Sequence, residues 1–476
     1  MEEDAATASK RIKRDPIDVQ GNPKTGNRAG GDESLNFIDR LPDEVLATII
    51  SLLPTKAGAR TQAVSRRWRP LWRAAPLSLL ADSDLSGQDR KRTAFVSKIL
   101  ADHTGPARRF ELPEFRLRDR YAKIDGWLRS RALDGLQKIE FSYAIEDPLL
   151  PYPMPPSALR FAPTLRFAEF GPCDFPSEIA PSLKFPCLKQ LTLYSVDISQ
   201  DALHNLLSGC LVLESLLLEY SIGVGCLRIS SSTLRSIGFC GFSFWRRGHN
   251  RNPIKFQELV IEDAPCLERL LPLDPSNGPV IIRVMHAPKL QILGLLSSCI
   301  SRLDLGTTVF QKMIALSLTT SMRTVKVLAL DSAGPNLKLV VDFLRCFPCL
   351  QKLHIMSHVN KDMKNKLSYN PLDPIECFET HLQQVVVNNY WGLRPDVDFA
   401  KFIILNAKVL NKMVFGTVHN NNGRWMTNQL RRLQLDKRAA KDAQFKFTVD
   451  CLLAHDLHTH ALCMDDPFDS HLWHDA

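Results

Sequence analysis

Three groups of residues in this chain have types and spacings that could do chemistry. Cys346 and Cys349 form a C-x-x-C pair in "CFPC", which is half of a zinc or redox centre. His455, His458, His460 and Cys463 in "HDLHTHALC" put imidazole and thiolate donors close together, as a metal site needs. Gly223 and Gly225 give a G-x-G that could approach a phosphate. Each falls short. The cysteine pair lacks a second ligand pair and opens the apolar run "FPCLQKL", so packing is the favoured role. The histidines sit near an acidic end with no obvious scaffold, and the glycines lack the third glycine and the strand-helix context of a dinucleotide loop. There is no phosphate loop, zinc-protease helix or nucleophile elbow, so no catalytic residue, metal or cofactor is expected. Function must then lie in surfaces, which directs attention to the elements that build them.

Composition permits a large core. The 476 residues are 45% hydrophobic and 23% charged with a net charge of +9, the makeup of a soluble globular chain of several domains. That charge suits nucleic acid or an acidic protein and identifies neither. Twelve cysteines run from Cys173 to Cys463 and are read as reduced, mostly buried small hydrophobes. The opening "MEEDAATASKRIKRD" carries no apolar stretch, and no apolar run approaches the ~18 residues of a membrane span, so an intracellular location without membrane contact is expected. Residues 1–36 have little to bury and are expected to be disordered. Lys10, Arg11, Lys13 and Arg14 fit a solvated tail better than a nuclear import signal, which leaves nucleus and cytoplasm both open.

At residue 37 the composition changes. In "DRLPDEVLATIISLLPTKAGARTQAVSRRWRPLWRAAPLSL", Pro42 suits a first helical position, Asp43 and Glu44 favour the positive end of a helix, and Val45, Leu46, Ile49, Leu52 and Leu53 recur at helical spacing. Pro54 ends that helix. Thr55 is expected to cap a second helix running to about Val64, Ser65 a third carrying Trp68, Leu71 and Trp72, and Pro70 to kink or shorten the third. Three short helices cannot turn this much apolar surface inward alone.

This segment resembles an F-box. "LPDEVLATIISLLPTK" and "VSRRWRPLW" carry the Leu-Pro start, the Leu-Pro at the end of the first helix and the Ser-Arg-Arg-Trp close of that family. The resemblance implies a unit, assigned to residues 37–80, that docks on a Skp-type adaptor and through it on a cullin-RING ubiquitin ligase. The expected adaptor-binding residues are Leu41, Pro42, Val45, Leu46, Ile49, Leu53, Pro54, Trp68 and Trp72. Leu41 and Pro42 would wedge into an apolar cleft, Val45, Leu46 and Ile49 would form the central face, and Trp68 an aromatic anchor. Lys56, Arg60, Arg66, Arg67, Arg69 and Arg73, with no acid between Thr55 and Arg73, would steer the unit toward an acidic partner.

From about Asp134 onward apolar residues follow an L-x-x-L-x-L spacing: "LQKIEF", "LKQLTL", "LESLLL", "LRSIGF", "LERLLPL", "LQILGL", "VKVLAL" and "LQKLHI". The units at 188, 213 and 234 lie 25 and 21 residues apart, the period of leucine-rich repeats. Each unit should form a short parallel strand whose leucines enter the core while the intervening residues face a binding surface. In "IEDAPCLERL" and "VMHAPKLQIL", Pro265 and Pro288 should break one strand before the next. The repeat count between 256 and 326 stays open. "RKRTAFVSKILADH" and "KIDGWLRSRAL" read as helices, and the proline-rich "EDPLLPYPMPPSALRFAPTL" as a loop.

Towards the end, a strand on Leu382, Val385 and Val387, a helix carrying Phe399, Phe402, Ile403, Ala407 and Leu410, and a further strand make one more repeat. The stretch from Leu372 to Phe447 resembles the FBD module of plant proteins that also carry an F-box and leucine-rich repeats. Its expected role is to cap the solenoid. The fold class is therefore α/β: a three-helix F-box (37–80), a leucine-rich-repeat solenoid (81–371) and an FBD-type region (372–476). The resemblance implies a substrate-recognition subunit of a Skp-cullin-F-box ubiquitin ligase, itself non-catalytic, with an unknown target protein on the repeats. The rival is a repeat scaffold without a ligase role. Nucleic acid is not an expected partner, because the basic residues cluster in the tail and the F-box without alternating aromatic residues on the repeats.

Overall fold

A computed structural model describes the chain except for residues 1–36, 82–87, 118, 148–149, 242–253, 275–277, 318–320, 335, 358–364, 366–369, 371, 418–422, 450–457 and 469–476. The basic cluster at Lys10 to Arg14, His455 and the expected disorder of the first 36 residues lie outside the described residues. The chain divides into two compact units, Met1–Leu46 and Ala47–Ala476. In the first, a 3-10 turn at Phe37–Arg40 leads into the helix Asp43–Leu52, which continues into the second.

The second unit is organised by one sheet of 14 strands, parallel throughout. All eight quoted apolar units fall on its strands: Lys138–Tyr143, Gln190–Tyr194, Ser215–Glu219, Ser236–Phe239, Arg269–Pro272, Ile292–Leu296, Val327–Gly334 and Lys352–Ser357. Leu191, Leu216, Ile237, Leu270, Leu293, Leu328 and Leu353 occupy equivalent register positions and are buried. This row is the spine of the core, because a period-2 strand sends alternate side chains to one face. The sheet continues through Gln384–Asn388, Lys412–Thr417 and Gln444–Val449, so the FBD-type region extends the solenoid and supplies its last strand.

Between Cys226 and Ser317 the layer behind the sheet is itself made of strands. Cys226–Ser230, Glu258–Asp263, Ile281–Val284 and Arg302–Leu305 run parallel in a second sheet, closed by the antiparallel Thr308–Gln311 and Ile314–Ser317. This accounts for the irregular spacing there: among the described residues each repeat is strand, corner, strand, with no helix. Ala264-Pro265 and Ala287-Pro288 sit at the corners, where Pro cannot donate to a ladder. Helices flank that region, at Gln200–Ser208 before it and at Leu337–Cys346 and Arg394–Asn406 after it. The helix expected in "RKRTAFVSKILADH" is Asp89–Asp102, and the one in "KIDGWLRSRAL" is Tyr121–Leu128.

Among the strands that escaped the sequence reading are Leu77–Leu80, Ala107–Phe115 and Phe167–Phe170. Leu77–Leu80 pairs with Ala107–Phe115 and starts the large sheet. Buried Arg92 fixes this end, donating to Ala81 O at 3.0 Å, Pro113 O at 2.5 Å and Glu114 O at 3.3 Å. The proline-rich loop contains a 3-10 helix, Pro156–Phe161, which prolines tolerate at its first positions.

Candidate docking surfaces

The residues assigned to adaptor docking separate by burial. In the first unit Pro42 is exposed, Leu41 half-buried, Val45 42% exposed and Leu46 fully buried. In the second, Pro54 is exposed, Ile49 is 38% exposed and Leu53 half-buried, but Trp68 and Trp72 are buried. Trp68, expected as an aromatic anchor, is thus buried together with Trp72 in this chain. Trp72 meets His103 edge to face, with centroids 5.5 Å apart, and His103 Nε2 lies 2.9 Å from Ala75 O. Exposed Leu52 and Val64 add apolar surface that the assignment omitted. Lys56, Arg60, Arg66, Arg67, Arg69 and Arg73 are all exposed, as a steering surface requires.

The local chemistry of this segment also differs from expectation. Thr55 caps no helix. Its Oγ1 donates to Ser78 O at 2.8 Å and accepts from Leu80 N at 2.6 Å, while Ser78 Oγ donates to Ser51 O at 2.8 Å. These bonds tie the short helix Thr55–Arg60 to the first strand of the sheet. A 3-10 turn, Thr61–Ala63, follows that helix. Ser65 makes no cap either, since the third helix, Trp68–Ala74, begins after Arg67. Pro70 falls in its first turn, where no intrahelical donor is needed.

A second surface lies on the sheet, opposite the buried leucines. Gln190, Ser215, Ser236 and Arg269 stand in register in one row, and Thr192, Leu217, Gly238 and Leu271 in the next. Residues 458–468, which belong to no helix or strand, lie across them. His460 is held between hydroxyls, Nε2 at 2.8 Å from Thr192 Oγ1 and Nδ1 at 2.7 Å from Ser215 Oγ. Ser215 Oγ also donates to Thr459 O at 3.1 Å, so a neutral ring with its proton on Nδ1 satisfies every group. Burial pushes the imidazole down to about 4, consistent with that state.

Further along, buried Arg269 donates to Ala461 O at 2.8 Å, to Leu462 O at 3.0 Å and to Met464 O. Asp466 meets His354 Nε2 at 3.0 Å and Lys352 Nζ at 3.3 Å. Burial opposes its ionisation, but His354 and Lys352 outweigh it and bring the carboxyl down to about 2. Phe468 packs among Cys240, Leu271, Ile292, Val327 and Ala329. Gly238 makes room for the crossing, because a Cβ there would collide with Thr459.

The other candidate groups are placed as follows. His460 is committed to the sheet, whereas Cys463 is exposed and His458 half-buried, and among the described residues no three ligand-type side chains gather as a metal site would require. The segment that lacked an obvious scaffold has one after all. Cys346 is buried at the end of its helix, its thiol pushed up to about 12 by burial, which removes the thiolate that redox work needs. Gly223 adopts a positive φ of 92° in a turn whose Cβ position is filled by Ile198 O. No helix among the described residues is long and apolar enough to cross a membrane.

Comparison with known proteins agrees with this architecture. Residues 38–73 match the F-box-like family, 124–355 the LRR repeats described for the FBD-associated F-box protein At5g56370, and 370–415 the FBD family. The chain carries F-box-like, LRR and FBD domains, and its homologues are Arabidopsis F-box/FBD/LRR-repeat proteins. It is 28% identical over 444 residues to the F-box/FBD/LRR-repeat protein At4g00160 of Arabidopsis thaliana, covering 87% of this chain and 94% of that one. A second Arabidopsis thaliana relative, the F-box/FBD/LRR-repeat protein At3g26920, is 26% identical over 411 residues, covering 81% and 90%. The F-box/LRR-repeat protein At3g03360 of the same plant is 31% identical over 217 residues, 42% of each chain.

As an F-box protein, the chain keeps its apolar helix surface and its repeat sheet as its two candidate docking surfaces. Docking of residues 458–468 escaped the sequence reading because no period marks it. The only signal was a short acidic and aromatic run, "MDDPF", after the last repeat.

Proposed function

We propose that this F-box protein is the substrate-recognition subunit of a Skp-cullin-F-box ubiquitin ligase. The F-box docks on a Skp-type adaptor, and the repeats hold a target protein within reach of the ubiquitin-loaded partner. The observation that carries this reading is the helix Asp43–Leu52, which keeps Val45, Ile49 and Leu52 exposed inside an F-box-like segment. Apolar side chains left in water on an amphipathic helix are what a partner groove covers. The exposed arginines that follow favour an acidic partner and speed its encounter.

The chain itself contributes no reacting group in this scheme. It raises the effective concentration of target lysines near the ligase, which is proximity supplied by tethering. Such work takes place in the nucleus or the cytoplasm. Replacing Leu41 and Pro42 together by alanine should weaken binding to a purified Skp-type adaptor by ~2 kcal/mol or more, about thirtyfold. An unmutated chain that fails to bind the adaptor in the same pull-down would leave only the scaffold reading.

A further inference from the structure

We propose that the sheet face crossed by residues 459–468 is a groove for extended peptides, and that this segment is its tethered occupant. A target peptide would enter in the same way, carrying a carboxylate two residues before an aromatic side chain. The inference rests on the reading that the repeats recruit targets, and it specifies what they recruit.

The contacts divide into two kinds. Arg269 donates to three main-chain carbonyls, which any peptide can offer, so it holds the backbone without reading the side chains. Selection comes from the far end, where His354 and Lys352 take the Asp466 carboxylate and an apolar pocket takes Phe468. A charged anchor beside a buried aromatic one is the arrangement that concentrates binding energy in few residues. Gly238 lets the crossing chain approach the sheet closely.

Two observations distinguish an occupant from a permanent part of the core. Residues 458–468 pair with no strand, so leaving would break no ladder. The fit is also incomplete: Ser236 Oγ, in the same register row as Ser215 and Arg269, and His354 Nδ1 are both buried without a hydrogen-bond partner. Buried polar groups are ordinarily satisfied, and a better-matched ligand would supply a hydrogen-bond partner at each of these two atoms. A tethered segment competes at high effective concentration, so a target must either match the groove better or arrive when the segment is released.

The test uses a fluorescein-labelled synthetic peptide of residues 458–468, the full chain, and the chain ended after residue 457, with no adaptor present. Saturable binding to the shortened chain is expected, at least tenfold weaker binding to the full chain, and at least tenfold weaker binding of peptides carrying Asp466→Asn or Phe468→Ala. If circular dichroism shows the shortened chain unfolded, the full chain with Asp466→Asn and Phe468→Ala together replaces it and should take up the peptide. Equal binding by full and shortened chains, a folded variant that binds no peptide, or indifference to either peptide substitution overturns the proposal. So does failure of both variants to fold, because the segment would then be integral to the core. An adaptor pull-down that fails sinks the ligase reading and leaves this result standing.

Discussion

His460 shows how a single residue senses its place. Its neighbours on the sheet, Gln190, Thr192 and Ser215, carry no charge, and burial alone holds the imidazole neutral down to about pH 4. In the unfolded chain the same ring titrates near 6.5, so its contribution is present in full above that pH and is lost as pH falls from about 6.5 to about 4. The loss amounts to roughly 3 kcal/mol at most. Chemical denaturation of the native chain and of His460→Gln at pH 7.5 and pH 5 should therefore show the native chain losing more stability on acidification. Equal losses would mean that the ring is not held as described. Asp466 is held charged where His460 is held neutral, but its contribution runs the same way: its carboxyl, at about 2, loses its stabilising effect only as pH falls from about 4 to about 2.

At the scale of elements, the F-box segment separates docking from stability. Ile49 is partly in water and Trp68 is not, although both were candidates for the same interface. Ile49→Asp should abolish adaptor capture in a pull-down while changing the unfolding free energy by only about 0.5 kcal/mol, as exposed substitutions do. Trp68→Ala should cost about 3–5 kcal/mol of stability, because it empties a buried aromatic site. If Ile49→Asp instead unfolded the protein, or Trp68→Ala left its melting temperature unchanged, the division drawn from burial would be wrong. Thr55 belongs to the same lesson: a residue type suited to capping a helix is used to join that helix to a strand.

At the scale of the molecule, the crossing segment joins residues about 270 positions apart, such as Thr192 and His460. Its main fastener is one guanidinium. Arg269→Ala would leave three tail carbonyls without that donor and should lower stability by roughly 2–4 kcal/mol. Limited proteolysis should then cut within residues 459–468 of the variant at protease levels that spare the native chain. Resistance equal to that of the native chain would show that Arg269 does not hold the segment.

How far the fold was legible follows from how local its signals are. Each L-x-x-L-x-L unit states its own strand, because the leucine at every second position fixes which face is buried, and the eight units needed no distant partner to be recognised. The strands Ala107–Phe115 and Phe167–Phe170 were missed because phenylalanine, alanine and a proline replace the leucine pattern there. The two-sheet region between Cys226 and Ser317 could be sensed only as uneven spacing, since strand and helix behind the sheet bury similar residues. By itself, then, the sequence determined the F-box, the repeat period and the FBD-type end, all of which are patterns closed within a few tens of residues. Only the tertiary structure decided that both tryptophans are buried and that the last described segment returns across the sheet. Those outcomes depend on which surfaces meet over long chain separations, and no short-range period records that meeting.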